Sequence, residues 1–216
     1  REQRTLRRWS CRGSISFAIR ANIVGRDSSR TTDPETVELS WIHFLCRHPP
    51  KSRAFYKMWA EQDNTYLRAA IALAEEGMRK GDGGPFGCVI VRDGRIVGRG
   101  NNRVTSTNDP TAHAEVVAIR DACRELGSFQ LTGCVLYTSC EPCPMCLGAI
   151  YWARPDRIVF ACTREDAADA GFDDQLIYDE LPLPYVERRI PTTHQLREEA
   201  QVVFTAWKRK QDKVRY

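Results

Sequence analysis

The sequence predicts an α/β domain built in layers, with helices packed on a sheet whose later strands run parallel. Three observations predict it. Short apolar runs alternate with amphipathic, helix-length stretches; Gly and Pro punctuate nearly every change between them; and 216 residues suffice for one well-buried core.

Each element has its own signal. Asn64 or Thr65 can cap a first helix, whose apolar stripe is Leu67, Ile71, Ala74 and Met78 and which Gly81 can end. A Gly-rich turn, Gly81-Asp82-Gly83-Gly84-Pro85-Phe86-Gly87, leads into an apolar strand over 88–91. Asp93-Gly94 is a strong hairpin signal, and 96–98 returns as the second strand. Residues 101–109 read as a polar loop. Pro110 then opens a helix around 113–126, with Val116, Ile119, Cys123 and Leu126 on its core face and Gly127 as its stop. A buried strand is expected over 134–138, a helix from Pro142 to about Ala153, and a strand over 157–161. The stretch 163–180 looks mostly helical, and a final helix covers 197–213.

Composition narrows the function classes. Hydrophobic residues at 42% and charged residues at 28% are ordinary for a globular protein. No stretch approaches the roughly 20 apolar residues of a membrane-spanning helix, so no membrane partner is expected. The net charge of +4 hides two unlike parts. Residues 1–57 hold 12 Lys and Arg against 5 Asp and Glu, whereas 58–216 hold 20 against 23. A domain at −3 is not an electrostatic trap for nucleic acid, whose binders usually show a basic face.

The basic segment 1–57 has no sustained period, breaks at Pro49-Pro50, and is followed by Met58, the first methionine. It is expected to be a disordered or non-native N-terminal extension, with the functional domain over 58–216. An upstream region translated together with the gene product is the simplest reading. The eight Arg, five Ser and two acids of 1–32 also fit a cleaved targeting segment, and the charge fits a nucleic-acid arm.

Nine cysteines are an odd count, no signal peptide is visible, and Cys140, Cys143 and Cys146 crowd into seven residues. That clustering reads as metal binding in a reducing, cytoplasmic setting before it reads as disulfides. Cys88, Cys123, Cys134 and Cys162 sit at apolar positions, as core thiols do.

Chemistry concentrates in two segments, Thr111-Ala112-His113-Ala114-Glu115 and Ser139-Cys140-Glu141-Pro142-Cys143-Pro144-Met145-Cys146. Cys143 and Cys146, three apart at a helix start, share one face and can bind a single ion. The positive end of that helix favours both thiolates. His113 supplies a third ligand, which leaves one tetrahedral position for water, and bound zinc lowers the pKa of that water from 15.7 to about 7. Glu115, two residues beyond His113, need not compete for the metal and can shuttle protons.

Each half of the pattern is weak alone. A C-x-x-C can be a redox pair, an H-x-E is usually helix surface, and Cys140 could close a structural site as a fourth ligand. Together, in this order and each opening a helix, they form the signature of zinc-dependent nucleobase deaminases with one Zn2+ per chain.

The likeness extends past that signature. Gly83-Gly84-Pro85-Phe86-Gly87, Asn108 through Glu115, Tyr137 through Pro155 and Gly171-Phe172-Asp173-Asp174 resemble the bacterial guanine deaminases of the cytidine-deaminase superfamily over about 62–216. The resemblance implies a three-layer α/β/α fold around a mixed sheet, and a homodimer that exchanges C-terminal segments. It implies hydrolysis of guanine at C2 to xanthine and ammonia. It further implies that Phe86 and Trp152 line or stack on the purine, with Asn102 and the Ala114 backbone on its polar edge. Asp174 would hold the exocyclic amine and help move protons, and Tyr216 would close the partner's site.

Bland readings stand beside these: core or interface aromatics for Phe86 and Trp152, a turn for Asn102, a helix N-terminal acid for Asp174, a frayed end for Tyr216. A tRNA adenosine deaminase shares the zinc core, but the acidic balance of 58–216 and the long tail after Asp174 oppose it. Guanosine deaminases share more of the pattern; Tyr137-Thr138-Ser139 and Tyr151-Trp152-Ala153 lean toward the free base. A zinc-structured binding module has no need of Glu115.

Overall fold

The computed structural model describes residues 53–215, with side chains from Ala60 onward; the expectations for 1–52 and for Tyr216 lie outside the described residues. One four-stranded sheet runs in the order β2-β1-β3-β4. Strand β1 (Gly87–Arg92) is antiparallel both to β2 (Arg95–Asn101) and to β3 (Cys134–Cys140), while β4 (Arg157–Cys162) runs parallel to β3. The sheet is therefore mixed, with the later pair parallel as expected. Asp93 (φ 51°) and Gly94 (φ 74°) make the hairpin turn with both residues left-handed.

Helix α1 runs over Arg53–Lys80, and from Tyr66 onward it covers one face of the sheet. On the other lie α3 (Ala114–Leu126) and α4 (Pro144–Ala153), and a short α2 (Val104–Thr107) interrupts the loop expected at 101–109. Side chains alternate across the sheet, so β1 serves two cores. Cys88 and Ile90 join Cys134, Leu136, Ala114, Ala118, Ala122, Leu131 and Ile150; Val89 and Val91 join Tyr137, Tyr66, Leu67 and Leu73. A strand buried on both sides must be apolar throughout, which is why 88–91 reads as an unbroken run.

The helix faces differ from the expected stripes. Helix α1 already runs at Arg53, so neither Asn64 nor Thr65 caps it, and the Thr65 hydroxyl donates back to the Glu61 carbonyl at 3.1 Å. Among the described residues Ala70, Ala74 and Gly77 are its buried ones, while Ile71 and Met78 are about half exposed. The reason is close approach. A Cβ at Gly87 would stand 2.1 Å from the Ala70 carbonyl and 2.5 Å from the Ala74 nitrogen. On the opposite face a Cβ at Gly100 would stand 2.2 Å from the Ala114 carbonyl, so α3 also lies down on alanines, Ala114, Ala118 and Ala122. Ile119, Cys123 and Leu126 only flank that contact.

Beyond β4 the structure is less deeply packed. The helical stretch expected over 163–180 is two short helices, α5 (Arg164–Asp169) and α6 (Gln175–Glu180), parted at Gly171 with φ 89°. Helix α7 (Arg197–Arg209) stops short of residue 213. Cys162, expected in the core, is exposed at the end of the edge strand β4.

Candidate active site and metal centre

Two helix N-termini build the centre. His113 is the N-cap of α3, in extended backbone (φ −67°, ψ 154°), and its side chain makes no capping hydrogen bond. Cys143 is the N-cap of α4 in the same conformation (φ −62°, ψ 167°), with Pro144 next to preset the first turn and Cys146 within it. The imidazole and both thiols are thus free to converge. His113 Nδ1 lies 3.6 Å from Cys143 Sγ and 3.4 Å from Cys146 Sγ, and all three ligand atoms fall within 4.8 Å of one another. Zinc bonds of ~2.1 Å to nitrogen and ~2.3 Å to sulfur at a tetrahedral angle require a separation of about 3.6 Å. The donor set fits zinc in chemistry and in spacing.

Electrostatics agree. A hydrogen bond from Cys146, with another from His113, pulls the Cys143 thiol down to about 4. That Cys143–Cys146 bond, together with burial, pushes Cys146 up. A cation bound by the two sulfurs would favour both as thiolates. Cys140 is engaged elsewhere. Its thiol donates to the Thr163 carbonyl at 3.3 Å, burial pushes it up to about 11, and it stands outside the His113, Cys143 and Cys146 group. A closed four-ligand site would have to break that bond.

Glu115 sits in the first turn of α3, almost wholly buried. Its Oε1 accepts from the Thr138 hydroxyl at 3.0 Å, and its Oε2 lies 3.4 Å from Cys146 Sγ. Burial pushes its pKa up despite these bonds, which brings a carboxyl toward the working range of a proton shuttle. Thr138, which orients it, was missed from sequence, because a threonine inside an apolar strand reads as filler.

The Gly-rich turn packs closely on Asn102 and Phe172. Asn102 is buried, and its side-chain oxygen accepts from the Gly84 and Val104 backbone N–H groups at 3.3 and 3.1 Å. Anchoring the oxygen fixes the amide plane and leaves the NH2 end as a donor for a ligand. Gly83 and Gly84 have no alternative. A Cβ on the first would meet Asn102 Oδ1 at 2.2 Å, and one on the second would meet Phe172 at 2.9 Å. Phe172, missed from sequence as a site residue, packs edge-to-face on Phe86 with centroids 5.0 Å apart. Ala114 is the first residue of α3, so its N–H has no helical partner.

Asp174 occupies the N-cap position of α6 yet makes no cap; Asp173 Oδ1 accepts from the Gln175 N–H instead, at 2.9 Å. Burial and then the Cys143 charge raise the Asp174 pKa, so its carboxyl lies within electrostatic reach of the zinc loop. Trp152 is 65% exposed on α4 and lines a cleft of about 530 Å³ with Trp207, Lys208, Lys213, Val214 and Arg215.

Comparison with known proteins places these features. Residues 60–162 match the zinc-binding region of cytidine and deoxycytidylate deaminases. Over 152 residues the chain is 56% identical to guanine deaminase of Bacillus subtilis (strain 168), covering 70% of this chain and 97% of that one. A tRNA-specific adenosine deaminase of Aquifex aeolicus (strain VF5) is 41% identical over 96 residues, 44% of this chain and 63% of the relative. The X-ray structure of the Bacillus subtilis guanine deaminase superposes with a TM-score of 0.70, covering 71% of this chain and 98% of that chain at 56% identity. The crystal structure of NE0047 in complex with 2,6-diaminopurine gives a TM-score of 0.50 at 31% identity, covering 52% of this chain and 62% of that one.

Proposed function

The chain belongs to the guanine deaminase family of zinc-dependent deaminases, and from that membership we propose that it hydrolyses guanine at C2 to xanthine and ammonia. What carries the reading is a three-ligand centre with a buried carboxyl, Glu115, at its side. His113, Cys143 and Cys146 would hold the zinc, which would make a water-derived nucleophile available at neutral pH. The remaining steps belong to side chains. Phe86 supports the purine face. Asn102 NH2 and the Ala114 N–H donate to its polar edge. Glu115 takes one proton of the attacking water and passes it to the ring nitrogen, then takes the remaining proton from the new C2 hydroxyl and gives it to the departing amine. Asp174 accepts from the exocyclic amine. One water is consumed, and one ammonia leaves.

Both ends of the base must be read, because a buried polar group left unpaired costs about 1–3 kcal/mol. Asp174→Ala and Asn102→Ala are each expected to lower kcat/KM for guanine at least ~10-fold, the equivalent of roughly 1.4 kcal/mol. Asp174→Ala is the cleaner test, since Asn102 also ties down the Gly84 and Val104 N–H groups. Rates near wild type in both variants would remove guanine as the substrate.

The protein is further proposed to be a cytoplasmic homodimer of purine breakdown. Helix α7 presents Val202, Val203 and Phe204, each about two-thirds exposed, apolar surface that a second copy would cover. No helix among the described residues is long and apolar enough to cross a membrane. Deleting 205–216 is expected to cost activity, and mixing the deleted chain with full-length Glu115→Ala chains to restore part of it. Mixtures no more active than their components would show that each subunit uses its own tail.

A further inference from the structure

Asp174 rides on a segment that burial does not hold. Neither α5 nor α6 contains a buried residue, so the position of Asp174 depends on particular contacts. Phe172 against Phe86 is one such contact. Arg164 makes the others. A capping box between Thr163 and Asp166 sets the start of α5 and with it the Arg164 backbone. The Arg164 N–H donates to Glu141 Oε2 at 3.2 Å, and Glu141 immediately precedes Pro142-Cys143 in the zinc loop. The Glu141 N–H in turn donates to the Cys162 carbonyl at 2.9 Å. From the same residue the guanidinium lies over the Tyr178 ring, 4.8 Å from its centroid. Tyr178 stands one turn beyond Asp174 on α6. The Arg164 side chain is 41% exposed, and Arg164 Nε donates to Glu165 Oε1 at 3.1 Å, which steadies the guanidinium without reaching the site.

We propose that Arg164 is a positioning residue, clamping the 172–178 segment to the zinc loop through Glu141 and Tyr178 and so holding Asp174 at the substrate amine. The proposal rests on the role given to Asp174 above. Arg164 touches no reacting atom; it acts through Asp174. The charged groups facing Asp174 are Cys143 from α4, Arg164 from α5, Tyr178 from its own helix and the adjacent Asp173. Of these only Arg164 lowers the Asp174 pKa, opposing burial. Removing that charge lets the pKa rise, so the acid limb of the kcat/KM profile moves to higher pH.

The test compares Arg164→Ala, Arg164→Lys and Tyr178→Leu in the zinc-loaded full chain. Arg164→Ala and Tyr178→Leu are expected to lower kcat for guanine about 10-fold with zinc content unchanged, since a misplacement of ~1 Å can cost ~10²-fold. Arg164→Lys keeps the charge and is expected to hold the acid limb near its wild-type position while recovering part of kcat. Backbone amides of 172–178 should exchange with deuterium faster in Arg164→Ala than in the wild type. In an Asp174→Asn background, Arg164→Ala should add little further loss, because the pair acts as one unit. Wild-type kcat and an unmoved acid limb in Arg164→Ala would overturn the proposal, as would an equal loss in the Asp174→Asn background. Unchanged exchange at 172–178 would overturn the clamp whether or not guanine is the substrate. A wild-type chain inert on guanine, with faster exchange in Arg164→Ala, would sink the substrate and leave the clamp standing.

Discussion

Replacing Glu115 by Gln is expected to leave one zinc per chain and to lower kcat for guanine by about 10²–10⁴-fold, the usual contribution of a positioned acid–base group. The carboxyl lies 3.4 Å from Cys146 Sγ but is not among the ligand atoms, so the metal does not depend on it. Gln keeps the shape and can still accept from Thr138, whose hydroxyl bonds Oε1 at 3.0 Å. What it loses is the ability to take a proton from water and return it to nitrogen. Elemental analysis beside steady-state kinetics separates the outcomes. Zinc lost together with activity would make Glu115 a ligand or a structural group, and full activity would remove it from the mechanism.

Cys143→Ala is expected to lose zinc and turnover together and to lower the melting temperature. Three protein ligands leave no spare donor, and the metal's binding free energy is also folding free energy. Cys140→Ser provides the contrast. That residue bonds the Thr163 carbonyl, and a serine hydroxyl can make the same bond, so zinc should remain at one ion per chain. A Cys140 variant that loses its metal while Cys143→Ala keeps it would reverse the ligand assignment.

What could be read from sequence follows from how narrowly chemistry restricts residue type. His113, Cys143 and Cys146 were legible because few side chains bind zinc, and because helix starts place a C-x-x-C on one face. The open coordination position was legible as a preference, and the Cys140 bond to the Thr163 carbonyl is consistent with it. Strand positions were legible because a strand buried on both sides must be apolar.

Helix faces were not legible by the same rule. Hydrophobic periodicity rewards the large residues Ile71 and Met78, whereas the closest contacts put Ala70 and Ala74 against Gly87. The contacts of Thr138, Phe172 and Arg164 were not legible for another reason. Each is an ordinary residue for its element, and its partner lies far away in the chain: Glu115, Phe86 and Tyr178 respectively. Nothing local marks such a pairing. Asp174 is intermediate, since its position at a helix start suggested a cap and only the structure shows Asp173 bonding the Gln175 N–H instead.

Ammonia release by the zinc-loaded chain, measured on guanine beside guanosine, adenine, cytosine and a tRNA anticodon stem-loop, tests the central claim most directly. Guanine should give xanthine and ammonia in equal amounts. Its kcat/KM should exceed that of every competitor by ~10²-fold or more, the discrimination that buried polar groups enforce when a substrate fails to pair with them. Faster turnover of guanosine or of the stem-loop, or no ammonia from guanine with zinc fully bound, would contradict it.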